Sequence, residues 1–474
     1  MTLPAKFVER VLRDLGGTEG AALCAALDAE PPVSVRLNPA KTGADTLPAG
    51  PDAGLPVPEA AGLPALAIAG RVPWSRDGRY LAVRPSFTLD PDFHAGAYYV
   101  QEASSQFVGH LLAAVRTEGA RILDLCAAPG GKTTLYASLA GPDGLVVANE
   151  IDRRRASVLA DNVRKWGTGN VAVTTCEPRA LGDFEAWFDV VAVDAPCSGE
   201  GMFRKDPDAR GEWSEGNVKQ CAARQDEILR EAWRALRPGG TLVYSTCTFN
   251  RDEDEGALER MAAWAGDEIA ESEETAVEDA WGIVCGRVGA FRTFRFYPHR
   301  TCGEGFFAAV ARKSFDAGGR VRAPKARRTV FAAVDRKTAG ELARWGRNPG
   351  GMHFAAVADT CYAWYAAQAD AVRTLSEALP VIYSGVALGQ VFKGVLKPDP
   401  ALAFFDGMNR GALPAAELDD EETLRFLRRQ DIAAGGLAEG MNLVCSRGRA
   451  LGFAKRIGAR VNNLYPSSLR IIKQ

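Results

Sequence analysis

The stretch "DLCAAPGGKTT", residues 124–134, decides how this chain is read. It ends in Gly-Lys-Thr, as a phosphate-binding loop does. Such a loop also needs a glycine five residues before the Gly-Lys pair. Here that position is Cys126, whose side chain would crowd a loop wrapped around phosphates. The nucleoside-triphosphate reading is set aside on that ground. A strand, a tight glycine turn and a helix remain. The backbone N–H groups at such a helix start can approach an adenosyl cofactor closely.

The same texture continues on both sides. "RILDLCA" at 121–127, "GLVVANEID" at 144–152, "NVAVTTC" at 170–176, "FDVVAVDAPC" at 188–197 and "TLVYSTCT" at 241–248 read as five buried strands. "KTTLYASLAG" and "RRRASVLADNVRKWG" read as helices ending at Gly141 and Gly167, and "VKQCAARQDEILREAWRALRPGG" as a third. Apolar strands alternating with helices predict a parallel sheet covered on both faces. Ligands of such sheets lie outside the carboxyl ends of the strands. The expected fold class is α/β, a Rossmann-like core flanked by an α+β N-terminal module and a β-rich C-terminal module. The expected divisions are 1–95, a core at 96–313, a basic connecting segment at 314–375, and 376–474.

The chain has 474 residues, 47% of them hydrophobic, enough for a sizeable core. No run approaches the roughly 18 apolar residues of a membrane span. The start, "MTLPAKFVERVLRDLGG", reads as an amphipathic helix rather than an export signal. The ten cysteines form no C-x-x-C pair, so neither a metal site nor a disulfide framework is expected. Free thiols in a reducing cytoplasm are the simplest reading.

Net charge is −2, which by itself says nothing of nucleic acid. Locally the picture changes. Residues 311–330 carry Arg312, Lys313, Arg320, Arg322, Lys325, Arg327 and Arg328 against Asp316 alone. The tail after Glu439 carries Arg447, Arg449, Lys455, Arg456, Arg460, Arg470 and Lys473 with no acid. Both segments suit contact with nucleic-acid phosphates. The acidic run 251–280 reads as a solvated helix and loop. Residues 40–72 read as irregular connections.

The chemistry is suggested by the strand ends. Glu150, about 20 residues past the glycine turn, is placed to hold ribose hydroxyls. Glu177, after the third strand, is placed for the adenine edge, although an acid there often only caps a helix. Cys197 follows the fourth strand and Cys247 the fifth, each in a turn of small polar residues. If those strands are neighbours, both thiols meet over one cleft. A thiolate adding to carbon 6 of cytosine makes carbon 5 electron-rich enough to attack a sulfonium methyl group, after which a base takes the carbon-5 proton and the thiol leaves. Asp194 would serve the N3/N4 edge, either protonated and donating to N3 or ionised and accepting from the amine. Spacing does not rank the two cysteines.

Taken together, "LDLCAAPGGKT", "ANEID", "VDAPCSGEGMFRKDPD" and "LRPGGTLVYSTCTFNRDEDE" resemble the Sun-type RNA (cytosine-5) methyltransferases. "YYVQEASSQ" and "FYPHRTCGEGFFAAVARK" extend the resemblance over residues 96–313. "LPAKFVERVLRDLG" with "PPVSVRLNPAK" is similar to the N-terminal module of the rRNA-acting members, and "LGFAKRIGARVNNLYPSSLR" to the C-terminal PUA-like module of the RsmF-type enzymes. The resemblance implies a cytoplasmic, monomeric enzyme that uses S-adenosylmethionine without a metal and acts on 16S rRNA or the small ribosomal subunit. It implies that Cys247 is the nucleophile and that Cys197 assists product release. It places Cys126, Ala127, Ala128, Pro129, Gly130, Gly131 and Lys132, with Glu150, Glu177 and Asp194, around the cofactor and base, and Lys132 near the chemistry. Arg204 and Asp208 fall in a loop that orders the pocket. Two positions depart from the family pattern: Glu177 stands where Asp is usual, and "RDEDE" at 251–255 replaces "PEENE".

Overall fold

A computed structural model describes residues 2–43 and 63–472. The described ends of the 40–72 segment form a helical turn at Pro39–Thr42 and a strand at Ile68–Arg71. Residues 44–62, and Lys473 of the basic tail, lie outside the described residues.

The core is built in chain order from β1 (Arg121–Asp124), α1 (Gly131–Ala140), β2 (Leu145–Asn149), α2 (Arg153–Trp166), β3 (Val171–Thr174), β4 (Phe188–Asp194), α3 (Glu215–Ala235) and β5 (Leu236–Thr246). Three further strands, β6 (Val284–Val288), β7 (Phe291–Phe296) and β8 (Phe306–Lys313), follow, and β9 (Val381–Ser384) returns from far along the chain. They form one ten-stranded sheet in the order β6-β7-β8-β5-β4-β1-β2-β3-β9, with the short strand Ile269–Ala270 beside β8. β1 to β5 are mutually parallel, and the strands outside them antiparallel. Every residue of β2 and β3 is buried, because helices cover both faces and a Val/Ala/Leu run suits a strand with no wet side. Phe184, Phe188, Leu229, Trp233, Tyr244 and Phe307 pack one face; Phe107, Leu112, Tyr136, Leu159 and Phe296 pack the other. The α/β core read from the sequence is therefore present. β5 starts five residues earlier than "TLVYSTCT" suggests, because "LRPGG" already pairs with β4 through a register shift.

The N-terminal module is a four-stranded antiparallel sheet in the order Ile68–Arg71, Gly78–Leu81, Val33–Leu37, Tyr98–Tyr99, preceded by helices Ala5–Leu15 and Gly17–Ala26. Phe7 of the first helix packs edge-on against Phe203 and Trp213 of the core. Toward the C terminus a five-stranded sheet spans 332–398 and a four-stranded sheet spans 415–463. The five-stranded sheet runs across residue 376, where the sequence reading put a division, because Thr360–Tyr365 pairs with Val386–Phe392. The chain between those two strands makes β9, which extends the core sheet at β3.

Several basic residues expected to face phosphate are instead used inside the protein. Arg447 and Arg449 each lie 2.8 Å from an oxygen of buried Asp92 in the N-terminal module. Arg456 donates to the carbonyls of Ala434 and Leu437, and buried Lys313 to those of Trp233 and Leu236. A cation removed from water needs such partners, so these side chains brace the assembly of modules. At the same junction Gly167 has φ +88°, and a Cβ on it would meet the Phe404 carbonyl oxygen at 2.0 Å.

Asp92→Asn removes the carboxylate shared by two arginines. Breaking a buried pair costs roughly 3–5 kcal/mol; the loss here should fall at or below that range, since Asp90 and Asp420 still hold Arg447. A clear drop in the thermal unfolding midpoint is expected, and an unchanged midpoint would show that this junction does not stabilise the chain.

Candidate active site

The glycine turn is braced through its carbonyls. Pro129 O accepts from Tyr99 Oη (3.1 Å) and Asn162 Nδ2 (2.9 Å), Ala128 O from Arg155 (3.1 Å), and Gly131 O from Arg36 (3.1 Å). Gly130, at φ +111°, leads into α1 with no side-chain cap, so the first N–H groups of the helix are left for a ligand. Arg36 comes from the N-terminal sheet. It also bonds Gln101 Oε1 (2.7 Å) and Thr134 Oγ1 (2.6 Å) and lies 4.5 Å over the Trp166 ring. Burial lowers its pKa to about 10, still far above neutrality. An arginine inside the "VSVRLNP" segment thus serves the turn rather than RNA.

At the end of β1, buried Asp124 accepts from Thr133 Oγ1 (2.7 Å) through one oxygen, while its other oxygen has no partner. Burial raises its pKa to about 7, with Thr133 opposing the shift. At the end of β2, buried Glu150 accepts from the Asp152 N–H (3.0 Å) and pairs with Arg155 (3.3 Å). The capping of α2 falls to Asp152, which takes the N–H groups of Arg154 and Arg155. Glu150 is thereby spared the capping role. Glu177 is exposed at the start of a short helix, Pro178–Gly182, and does not cap it with its side chain.

β4 and β5 pair in parallel, with Asp194 opposite Ser245. The turns beyond them bring Cys197 Sγ to 3.3 Å from Cys247 Sγ. Asp194 accepts from Ser245 Oγ (2.7 Å) and pairs with Lys132 Nζ (2.9 Å). Both neighbours donate to it. Burial works to lower the Lys132 pKa, but the charge and hydrogen bond of Asp194, followed by Cys247, outweigh it and the net shift is upward. The hydrogen bond to Cys247, then burial, pushes the Cys197 thiol well up. Within the sulfur pair the upward shift falls on Cys197 and favours its thiol form.

Two buried carboxylates tie the cysteine turns together. Glu253 accepts from the Ser198 N–H (2.8 Å) and from Gln225 (3.1 Å), which also bonds Pro196 O (3.0 Å). Glu200 accepts from Trp213 Nε1 (2.8 Å), the Phe249 N–H (3.2 Å), Asn250 (3.3 Å) and Arg10 of the first helix (2.6 Å). Gly201 N–H bonds the Cys247 carbonyl (2.9 Å). Arg204 pairs with Glu304 (3.1 Å), whereas exposed Asp208 makes no cap for the helix that follows it. The acidic run at 251–280 is thus not solvated at its start. Glu253 and Asp254 are fully buried, Asp254 bonding Thr246 Oγ1 (2.6 Å) and Arg295 (3.0 Å). Asp124, Arg36, Arg10, Glu200 and Glu253 escaped the sequence reading; for Asp124 the signal was its place at a strand end beside the glycine turn. Among the described residues no group of His, Cys, Asp or Glu is arranged to hold a metal ion.

A parallel sheet with a glycine turn after its first strand, acids after the next and all polar groups at one sheet end defines a Rossmann-like S-adenosylmethionine-dependent methyltransferase. Residues 111–312 match the family model described as 16S rRNA methyltransferase RsmB/F, 3–103 the N-terminal domain of RsmF, and 414–471 the RsmF PUA domain. Ribosomal RNA small subunit methyltransferase F of Shewanella loihica is 31% identical over 84% of this chain and 83% of its own length. The Erwinia tasmaniensis protein of the same name is 32% identical over 84% of each. The chain belongs to this family of RsmF-type 16S rRNA methyltransferases. A solved methyltransferase homolog from Pyrococcus horikoshii is 26% identical, with a TM-score of 0.52 over 66% of this chain and all of its own. The family resemblance and fold class expected from the motifs are borne out.

Glu253 gives a pH test. Burial lifts its pKa to about 7. A carboxyl raised on folding contributes stability that is full below its unfolded pKa and is lost as pH rises through the folded value. Stability should therefore fall between about pH 4.5 and pH 7. Glu253→Gln, which keeps the shape, should flatten that fall in denaturant titrations at a series of pH values; an unaltered slope would reject the assignment.

Proposed function

We propose that the chain methylates carbon 5 of cytosine in 16S rRNA, with S-adenosylmethionine as methyl donor. The observation that carries this reading is the thiol pair at 3.3 Å beside the Lys132–Asp194 pair, at the end of β4 and β5. Carbon chemistry on a pyrimidine needs a nucleophile for carbon 6, and the segment Asp194-Ala195-Pro196-Cys197 supplies a thiol where an amino-methylating site would read Asn-Pro-Pro-Tyr.

The residues present fit the cofactor. The uncapped start of α1, the unpartnered oxygen of Asp124 and the Glu150 carboxylate would hold it, and exposed Glu177 stands at the adenine side. The methyl donor carries no triphosphate, so these acids do not repel it. When bound, it supplies an electrophilic methyl group.

Cys247, as thiolate, adds to carbon 6 and makes carbon 5 the nucleophile. Lys132 holds negative charge at Cys247 and Asp194 alike. Asp194, ionised, accepts from the exocyclic amine and so fixes the base edge. After methyl transfer a base takes the carbon-5 proton and the Cys247 sulfur leaves carbon 6; Cys197, in contact with that sulfur, assists its departure. The target cytosine must leave its stack to reach this cleft. The reading extends to a monomer working in the cytoplasm on rRNA or the small subunit. Among the described residues no helix is long and apolar enough to cross a membrane.

Cys247→Ala should abolish methyl transfer to 16S rRNA while leaving S-adenosylmethionine binding intact; retained turnover would sink the nucleophile assignment. Cys197→Ala should trap the RNA on Cys247, seen as a slow band on a denaturing gel. Free turnover without that band would remove the release role.

A further inference from the structure

The basic segment after β8 lies at the wrong end of the sheet to serve the cleft. In the β8–β5 pairing Phe307 stands opposite Thr246, next to Cys247, and Arg312 opposite Thr241. Five steps at about 3.3 Å per residue put the exit of β8 roughly 16 Å from the catalytic end. From there the chain crosses the far end of the core as a pinned strap. Ser314 N–H bonds Glu268 O (2.7 Å), Arg322 N–H bonds Glu185 O (3.0 Å), and Arg327 N–H bonds Glu377 O (2.9 Å). The Arg328 guanidinium bonds Leu379 O (3.0 Å).

These anchors use main chain and Arg328. They leave the side chains of Arg320, Arg322, Lys325 and Arg327 exposed, and none of the four forms an ion pair among the described residues. Glu185, whose carbonyl anchors Arg322, pairs through its side chain with Arg234, as does Asp183. Exposed Phe315 and Val321, 67% and 69% accessible, share the strap. Charges used inside the fold, such as Lys313 and Arg447, find buried partners; these four do not. They form a row of cations on a fixed backbone, which loses less entropy on binding phosphates than a free tail would.

We propose that the strap 314–330 is an RNA exosite, binding phosphates of an rRNA segment other than the one that delivers the cytosine. This rests on the rRNA methyltransferase reading above. Its effect is to favour a large folded RNA over an isolated hairpin.

The test uses the full chain with Arg320→Ser, Arg322→Ser, Lys325→Ser and Arg327→Ser combined, and with the same four positions as Lys as the charge-preserving control. The probes are protein-free 16S rRNA transcript and a short hairpin carrying the unmethylated target cytosine. For the transcript, the slope of log affinity against log salt should fall by roughly 3, at about 0.7–0.9 per phosphate contact. The Lys control should keep the slope, and hairpin kcat and KM should not change. An unaltered transcript slope overturns the proposal, including the case in which the variant loses only an acidic protein partner. Equal losses on hairpin and transcript overturn it as well, since they place the strap at the target segment. Wild-type turnover of the hairpin checks the methyltransferase reading separately.

Discussion

The in-register parallel pairing of β4 with β5 is the constraint on which the site depends. It sets Asp194 opposite Ser245 and makes the next residues of both strands leave the sheet side by side. Two thiols 50 residues apart in the chain then meet at 3.3 Å. Loops that emerge together can still drift, and here they are tied. Glu253 grips the Cys197 turn from the segment after Cys247, and Glu200 grips the Cys247 turn from the segment after Cys197. A buried carboxylate is costly unless its oxygens are satisfied. Each of these has several donors, which offset part of that cost and tie the two turns together.

The N-terminal module takes part as well. Arg36 reaches under the glycine turn and Arg10 completes the Glu200 network, while Tyr99 holds Pro129 O. A cofactor turn and a catalytic loop are therefore shaped by side chains from outside the Rossmann-like core. The C-terminal module joins the same body through Arg447 and Arg449 on Asp92. The modules thus share ion pairs on a buried carboxylate rather than a loose tether.

What the sequence made legible follows from the range of the interactions involved. The central strands are all-apolar runs bounded by glycine turns, and periodicity alone reveals them. Cys197 and Cys247 stood out because each ends a strand in a polar turn, and neighbouring strands were enough to unite them. Glu253 and Asp254 were misread because a local run of acids looks solvated; their partners Ser198, Gln225 and Arg295 lie well away in the chain. Arg447 and Arg449 were misread for the same reason, their partner Asp92 lying more than 350 residues earlier. β9 could not be anticipated either, because an edge strand contributed from beyond a long insertion leaves no mark in its own short sequence.

The roles proposed for the two cysteines draw on their surroundings, which spacing could not supply. Two thiols in contact cannot both ionise cheaply, since each thiolate raises the other's pKa. The neighbours decide which one does. The hydrogen bond to Cys247, then burial, raises the pKa of the Cys197 thiol, and both favour its thiol form. Cys247 interacts with the Lys132 ammonium, whose own pKa is lifted by the negative charges around it. In the proposed mechanism Cys247 has the Lys132 charge and Cys197 Sγ as its neighbours. Once Cys247 is bonded to carbon 6 in that mechanism, its former sulfur neighbour stands beside the bond that must break. The contact at 3.3 Å then connects both proposed roles: Cys197 lies next to the attacking sulfur before the addition and next to the departing one when a base takes the carbon-5 proton.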